Sequence, residues 1–314
     1  MAAQRASACG AAYARLHRNG QLLSRVEEAR RRLAHCELCP GRCGVDRTAG
    51  HAGRCQTGRW ARVASYHGHF GEEPPLVGRH GSGTIFFSGC NLHCCYCQNH
   101  EISQRACGDV VGPEQLATIM LELQDAGCHN VNLVSPSHVV PQILEALLLA
   151  AESGLRVPLV YNTGGYDDLD TLRLLDGVVD IYMPDMKYGD EETGRRFSGV
   201  AGYPAVNQAA VGEMFRQVGN LAVDEFGVAR RGLLVRHLVL PNGLAGTDAV
   251  CAFLAEEVSL HVYVNIMDQY RPCYLAARQP LLSRPVTRDE YRHAVAIARM
   301  HGLTRFDAIV DQPA

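Results

Sequence analysis

Three cysteines in one short segment carry the strongest chemical signal in the sequence. Cys90, Cys94 and Cys97 follow the spacing C-x3-C-x2-C, so three thiolates fall within eight residues. A [4Fe–4S] cluster normally takes four thiolates, and three ligands leave one iron open to a substrate or a second cofactor. A structural zinc ion prefers four closed ligands, and a dithiol redox site is less favoured because Cys95 crowds the segment. The spacing therefore favours an iron–sulfur cluster, with zinc and a redox pair as alternatives.

A second set of four cysteines lies nearer to the amino terminus. Cys36, Cys39, Cys43 and Cys55 have the spacing C-x2-C-x3-C-x11-C, and glycines between them allow sharp turns. Four thiolates in so short a stretch are enough to close a metal site without help from the rest of the chain. The pattern predicts an auxiliary [4Fe–4S] cluster or a structural zinc ion, and unmetallated thiols are the third option.

Length and composition bound the kind of protein that carries these cysteines. The 314 residues, 47% of them apolar, are enough to form a sizeable core without disulfides. The net charge of −3 lacks the basic excess of general nucleic-acid binders. No apolar run approaches the ~18–20 residues that span a bilayer. We therefore expect a cytoplasmic protein without a nucleic-acid or membrane partner, whose clustered cysteines serve metal or redox chemistry.

Alternating strands and helices must position the three-cysteine loop. The patterns predict strands over 84–87, 130–134, 159–162, 178–183, 233–240 and 262–267. Helices are predicted over 113–126, 139–151, 168–175, 204–218, 247–258 and 288–300, with a hairpin over 221–228. About six βα units are fewer than the eight of a complete barrel, so an open partial barrel or a doubly wound sheet is expected.

The chain divides into two predicted parts. Residues 1–62 lack the alternation and are interpreted as a helical lead followed by a cysteine-rich metal knuckle. Residues 63–314 are interpreted as the α/β partial barrel with its carboxyl-terminal helix. Because the three-cysteine loop follows the first strand of the series, it falls at the end of the sheet where ligands bind.

The three-cysteine loop and several further segments resemble a known family. The C-x3-C-x2-C spacing with an aromatic residue, Tyr96, before the last cysteine is the signature of the radical S-adenosylmethionine (radical SAM) enzymes. The stretch 83–99 is similar to the PflX-like branch, which is related to pyruvate formate-lyase activating enzyme. The C-x-L-C-P-x-x-C start of the second cysteine set also belongs to this resemblance. The other segments that carry it are 71–75, 160–163, 180–187, 236–241 and 265–273.

The resemblance implies a fold and a mechanism. It implies a partial (β/α)6 barrel of the radical SAM type, in which the three loop thiolates hold a [4Fe–4S] cluster and S-adenosylmethionine (SAM) binds the open iron. The reduced cluster would cleave SAM, and the resulting 5′-deoxyadenosyl radical would abstract a hydrogen atom from a small-molecule or protein substrate. A flavodoxin or ferredoxin is implied as the electron donor. Tyr96 is implied to lie near the adenine, and Cys95 to point away from the cluster.

Polar residues at the strand ends are candidates for holding SAM. Family members usually carry a Gly-Gly-Glu-like turn after the second strand, but this sequence has Ser-Pro-Ser-His at 135–138. Hydroxyl or carbonyl oxygens there could still accept from an ammonium group. The candidates are Ser135 and Ser137 for the ammonium, Asn162 and Thr163 for the ribose hydroxyls, Asp185 and Lys187 for the methionyl carboxylate or the substrate, and Arg236 for a carboxylate.

The sequence leaves three hypotheses about the reaction, and they belong to different functional classes. The family name implies an oxidoreductase that activates a glycyl-radical partner protein. A small-molecule epimerase, for example acting on a sugar, is the alternative, with the Cys273 thiol returning the hydrogen atom. Tyr270 and Asp268 are alternatives for hydrogen transfer or for binding sugar hydroxyls. A non-catalytic iron–sulfur or zinc protein is the third hypothesis.

Overall fold

A nine-stranded sheet organises the molecule, and the computed structural model describes residues 10–306. The strands are β1 (Ala61–His69), β2 (Ser82–Phe87), β3 (Asp109–Val111), β4 (Val131–Val134), β5 (Leu159–Thr163), β6 (Ile181–Pro184), β7 (Ala222–Val223), β8 (Ala229–Leu238) and β9 (Tyr263–Met267). The helices are α1 (Tyr13–Arg18), α2 (Gln21–Arg31), α3 (Pro74–Val77), α4 (His100–Arg105), α5 (Pro113–Asp125), α6 (Val140–Glu152), α7 (Leu169–Leu174), α8 (Glu191–Ser198), α9 (Tyr203–Val218), α10 (Thr247–Phe253) and α11 (Arg288–Met300).

Six parallel strands form the centre of the sheet. Their order is β2-β4-β5-β6-β8-β9, which is also their order along the chain. Three antiparallel strands extend it: β1 pairs with β2, β3 pairs with β1, and β7 pairs with β8. Among the described strands β9 pairs with β8 alone, so the barrel is open between β9 and the β1–β2 pair. The expected α/β partial barrel with six parallel strands is confirmed.

The predicted elements are all present, and the differences fall at their ends. The strand predicted over 178–183 begins only at Ile181, because Val178 and Val179 donate backbone hydrogen bonds to Leu175 in a turn. The helix predicted over 247–258 changes to a π-helical turn at Leu254. The antiparallel strands β1 and β3 were not predicted, since β1 is half exposed and β3 has three residues.

Alternating side chains of the parallel strands face two different layers. Tyr161 and Val235 point outward and pack under the surrounding helices. Val160 and Leu234 point inward and enclose Leu76 from α3 within the barrel. Because strand side chains alternate with period two, the polar residues two positions further along β5 and β8 also point inward, at the carboxyl end of the sheet.

The amino-terminal helices belong to the same hydrophobic core as the barrel. Leu22, Val26 and Ala29 of α2 are buried in the core that α6 also fills. The backbone N–H of Ala12 donates to the carboxylate of Asp180 at 2.8 Å. Strand β1 begins at residue 61, two positions before the predicted start of the barrel, and the division of the chain at residue 62 remains a prediction. Within residues 10–306, no helix combines the length and apolar character that crossing a bilayer requires.

Candidate active site

The three-cysteine loop runs from the end of β2 to the start of α4. Its turn requires glycine at position 89, where φ is +83° and a Cβ would lie 2.2 Å from the carbonyl oxygen of Cys55. The thiols of Cys90, Cys94 and Cys97 line one cavity of about 240 Å³ at the carboxyl end of the parallel strands. Cys95 does not line this cavity, as the resemblance implies.

Each of the three thiols has a polar neighbour that fixes its direction. The backbone N–H of Leu92 lies 3.4 Å from Cys90 Sγ. Cys94 Sγ lies 2.9 Å from the hydroxyl of Ser198 on α8, and Cys97 Sγ lies 3.2 Å from the hydroxyl of Ser103 on α4. Hydroxyl and amide donors at sulfur are the outer partners that metal thiolates use.

Burial and the neighbouring thiols raise the pKa of two of these cysteines, Cys90 and Cys94. Burial raises the pKa of Cys90 to about 12, and the neighbouring thiols of Cys94 and Cys97 add to the rise, while the ammonium of Lys187 opposes it. Such thiolates need a strong positive charge to compensate them, and iron in a cluster supplies one. No three His, Cys, Asp or Glu side chains between residues 10 and 306 surround a single point that could hold a metal ion. The metal assignment therefore rests on residue type, spacing and the shared cavity.

An aromatic chain closes one side of the loop. Tyr96 is buried, and its hydroxyl donates to the hydroxyl of Tyr188 at 2.7 Å. The Tyr188 hydroxyl lies 2.7 Å from Ser198 Oγ, which in turn contacts Cys94 Sγ. The ring of Tyr270 packs edge-on against Tyr96 with centroids 5.8 Å apart. The hydroxyl chain thus links the aromatic wall of the cavity to one of the three thiols.

Buried ionic groups form the opposite wall. Asp185, at the end of β6, accepts from Lys187 Nζ at 2.6 Å and from Arg236 Nε at 2.8 Å. Burial opposes ionisation of Asp185, but the charges of Arg236 and Lys187 outweigh burial and lower its pKa. Arg236 Nη2 also donates to Asn162 Oδ1 at 2.8 Å. Four predicted SAM or substrate ligands therefore meet in one network that lines the cavity.

The turn after β4 carries two of the predicted SAM ligands, Ser135 and Ser137, and places them differently. Ser135 lies in the left-handed region, with φ of +58°, and lines the cavity. Ser137 is buried, and its hydroxyl lies 3.0 Å from that of Thr163, which donates to Asp167 Oδ2 at 2.7 Å. Ser137 lines neither this cavity nor the adjoining one, whereas Thr163 lines the first. The structure brings Ser135 to the site and leaves Ser137 behind it as a partner of Thr163.

A second cavity of about 460 Å³ adjoins the first and shares Asn162, Arg236 and Met267 with it. Asp268 lines this second cavity, and Tyr270 lines the first, where its hydroxyl donates to the carbonyl of Leu282 at 2.7 Å. Cys273 lines neither cavity, because the chain turns away after Tyr270. The carbonyl of Cys273 accepts from the backbone N–H of Ala276 in that turn.

The four cysteines of the second set lie beside one another, outside both cavities. Burial raises the pKa of Cys39 to about 12, and the charges of Cys55, Cys36 and Cys43 add to the rise. Burial likewise raises the pKa of Cys43, and Cys36 and Cys55 contribute. None of the four lines either cavity. The four thiols are therefore neighbours in the structure, and the metal site that their spacing predicts stays a prediction.

A buried arginine joins this knuckle to the barrel. Arg47 is 1% exposed, and it donates to the carbonyl of Gly58 at 2.9 Å and to the carbonyl of His138 at 2.8 Å. His138 Nε2 lies 2.9 Å from the carbonyl oxygen of Ser88, immediately before the three-cysteine loop. The knuckle thus packs directly on the segment that carries the three loop thiols.

Comparisons with known proteins bear on this geometry. The family model "Radical SAM superfamily" matches residues 84–220, which contain the three-cysteine loop and the first four parallel strands. The chain is also 32% identical over 287 residues to an uncharacterised protein of Methanocaldococcus jannaschii, covering 89% of this chain and 78% of that protein. The chain belongs to the radical SAM superfamily. Membership implies a [4Fe–4S] cluster and SAM, and the lining of one cavity has the chemistry for both, with three thiols for the cluster and polar and charged side chains for SAM.

Two solved structures, one of them a radical SAM methyltransferase, resemble this fold distantly. A radical SAM methyltransferase from Sphaerobacter thermophilus has a TM-score of 0.47 and 14% identity, covering 73% of this chain and 67% of that one. SuiB of Streptococcus suis, solved with its precursor peptide SuiA, has a TM-score of 0.46 and 13% identity, covering 69% of this chain. The match covers 46% of SuiB, so this radical SAM chain spans less than half of that protein.

Several residues of this candidate site were not predicted from the sequence. Tyr188 and Ser198 complete the hydroxyl chain to Cys94, and Glu72 and Glu73 line the second cavity. The glutamates lie in the 71–75 segment that carried part of the family resemblance, and that segment was the available signal. Ser198 sits in α8, which was not predicted, so nothing in the pattern pointed to its contact with a cysteine about 100 residues earlier.

Proposed function

We propose that this protein cleaves SAM reductively at the three-cysteine cavity and abstracts a hydrogen atom from a substrate in the adjoining cavity. The observation that carries the proposal is that the two cavities adjoin, with Asn162, Arg236 and Met267 lining both. The proposal places the reactive group in the first cavity and the substrate in the second, on either side of these shared residues. The proposal also rests on membership of the radical SAM superfamily.

The chain's own residues would bind and orient the reactants. Cys90, Cys94 and Cys97 would hold the cluster, which together with SAM supplies a 5′-deoxyadenosyl radical when both are bound. Lys187 and Arg236 are cations that could bind a carboxylate, although both already contact Asp185. Buried aromatic and aliphatic side chains around the thiols would exclude water from the reaction.

Other polar groups around the first cavity have the chemistry to bind SAM. Asn162 and Thr163 offer amide and hydroxyl groups for ribose, and Ser135 offers acceptors for the ammonium. Tyr96 offers an apolar face for the adenine. These roles are assigned by chemistry and by position on the cavity wall.

Among the finer reactions, we propose that the abstracted hydrogen atom leaves in 5′-deoxyadenosine and is not returned, so that the unpaired electron stays on the substrate, as in relatives of pyruvate formate-lyase activating enzyme. The epimerase alternative needs a hydrogen donor on the opposite side of the substrate, and its candidate, Cys273, lies outside both cavities. The second cavity, at about 460 Å³, has the size of typical small-molecule sites, which favours a small molecule over a protein substrate. Activation of a glycyl-radical protein remains the reaction that the family resemblance implies.

We further propose that the four-cysteine knuckle holds an auxiliary [4Fe–4S] cluster, with a structural zinc ion as the alternative. Burial raises the pKa of two of these thiols, Cys39 and Cys43, which lie beside Cys36 and Cys55, and thiolates in one place need a cationic partner of either kind. Metal analysis of anaerobically reconstituted protein distinguishes the two, since two clusters give about eight irons per chain and a zinc knuckle gives about four with one zinc. The proposed reductant is a flavodoxin or ferredoxin, and the proposed location is the cytoplasm.

The deciding experiment measures SAM cleavage by the reconstituted, reduced protein under anaerobic conditions. We expect 5′-deoxyadenosine and methionine in equal amounts from the wild type and none above background from Cys90→Ala. Cys107→Ala is the matched control, because this cysteine is exposed and lines neither cavity. SAM cleavage by Cys90→Ala at the wild-type rate would overturn the proposal.

A further inference from the structure

Two glutamates form a wall of the second cavity. Glu72 and Glu73 lie between β1 and α3, on the open side of the barrel, and face Asn265 of β9 across the opening. Glu73 is only 5% exposed. Its Oε1 atom accepts from Asn265 Nδ2 at 3.2 Å, whereas Oε2 has no hydrogen-bond partner among the described residues. A buried carboxylate oxygen without a partner is costly unless a ligand satisfies it.

The cation nearest to these glutamates is already engaged elsewhere. Arg236 Nη1 lies 3.9 Å from both Glu72 Oε2 and Glu73 Oε1, which is beyond hydrogen-bond distance. The short contacts of Arg236, at 2.8 Å, go to Asp185 and Asn162. The two glutamates therefore share one guanidinium whose short contacts go to other residues, including Asp185, which also pairs with Lys187.

The charges around the second cavity add up to an excess of carboxylates. Glu72, Glu73 and Asp268 line it, against Arg236 as the only lysine or arginine among its lining residues; His69 also lines it. Burial raises the pKa of Glu72 to about 7, and the neighbouring Glu73 adds to the rise although Arg236 opposes it. A hydrogen bond between the two carboxyl groups also raises the pKa of Glu72, so the pair shares a proton, and a bound cation would displace that proton and hold both carboxylates ionised.

We propose that this glutamate pair binds an organic cation, an ammonium or guanidinium group of a small-molecule substrate, and so holds that substrate beside the SAM cavity. The proposal rests on the proposed radical SAM function, because the substrate is the molecule whose hydrogen is abstracted. Glu73 Oε2 would accept a hydrogen bond from the cation, and Glu72 would add charge. A cavity of about 460 Å³ is suited to a small molecule that carries such a group.

The test compares cationic and neutral probes of matched shape. Binding of n-butylammonium, n-butylguanidinium and 1-pentanol to the full-length reconstituted protein with SAM is measured by calorimetry. We expect at least one cation to bind about 10- to 100-fold more tightly than the alcohol, since a hydrogen bond to a charged group contributes about that much. Whichever cation prevails identifies the head group.

Substitutions test whether the preference for a cation comes from the glutamate pair. Glu73→Gln and, separately, Glu72→Gln should each reduce the preference about 10-fold, while Glu73→Asp should retain part of it. Glu152→Gln, an exposed position at the end of α6, is the control of equal charge change and should keep both probe binding and SAM cleavage. Two substituted glutamates keep the test usable if one variant fails to fold.

Failure of this inference differs from failure of the proposed function. If the wild type cleaves SAM but binds cation and alcohol equally, or if both glutamine variants keep the preference, the glutamate pair is not a cation site. Saturation by Mg²⁺, with no binding of either organic cation, would likewise overturn the proposal. If the wild type cleaves no SAM, the proposed function itself is wrong.

Discussion

The two cysteine sets of this protein are built from the same side chain and differ in what surrounds them. The three loop thiols face a cavity whose wall holds Asp185, Lys187 and Arg236, and a second cavity adjoins it. The four knuckle thiols lie together but line neither cavity. The loop thiols lie at the carboxyl end of the parallel strands, where ligands bind, and the knuckle thiols do not. This position, more than the number of cysteines, distinguishes the two sets.

The largest expected effect is on the rate of SAM cleavage, which should depend on the loop thiols and much less on the knuckle thiols. Cys94→Ala should lower the rate of 5′-deoxyadenosine formation by more than about 100-fold, since even outer partners of metal ligands cost about 10- to 100-fold. Cys39→Ala should lose up to about four irons or one zinc yet keep at least about a tenth of the cleavage rate, because it lies outside the cavity. Anaerobic assays with iron and zinc analysis measure both. Equal losses in the two variants would mean that the sets form one functional unit.

Much of this contrast was predictable from the sequence. The cysteine spacings separated an open site from a closed one, and hydrophobic alternation predicted the six parallel strands. The arrangement of strand-end residues was less accessible: Ser137 turned inward to Thr163, and Cys273 turned away after Tyr270. Those outcomes depend on loop conformations, which tertiary contacts decide and local patterns do not record.

The contact between the two regions gives the next largest effect. A Cβ at Gly89 would lie 2.2 Å from the Cys55 carbonyl oxygen, and φ there is +83°. We expect Gly89→Ala to lower the free energy of unfolding by about 2–5 kcal/mol through strain and overpacking. Urea denaturation measures it, with Gly212→Ala as the control, because that helical position has open space. A Gly89→Ala stability equal to the wild type would show that the knuckle does not press on the loop.

The contact between the knuckle and the loop also predicts how the stability of the protein depends on pH. Burial lowers the pKa of His138 from 6.5 to about 4, so the unfolded chain takes up a proton more readily than the folded one. Stability should therefore fall as pH drops from about 6.5 towards 4. His138→Gln, which retains an N–H donor, should lose less stability over this range than the wild type. Melting temperatures from pH 4.5 to 7.5 measure the slope, and exposed His51→Gln should leave it unchanged.

The smallest predicted effect concerns the hydroxyl chain behind the loop. Tyr188→Phe removes the oxygen that joins Tyr96 to Ser198, each 2.7 Å away. We expect the KM for SAM to rise about 3- to 10-fold, the value of one buried hydrogen bond, with a smaller change in kcat. Tyr66→Phe, which loses a surface hydrogen bond to Glu122, is the control. Equal kinetics of Tyr188→Phe and Tyr66→Phe would limit the hydroxyl chain behind the loop to a structural role.

Electron paramagnetic resonance of the reduced, reconstituted protein tests the central claim most directly. The claim is that SAM binds iron held by the loop thiols and not by the knuckle thiols. We predict that SAM changes the cluster signal of the wild type and of Cys36→Ala, and has no effect in Cys97→Ala. A SAM-dependent change that persists in Cys97→Ala but disappears in Cys36→Ala would contradict the account.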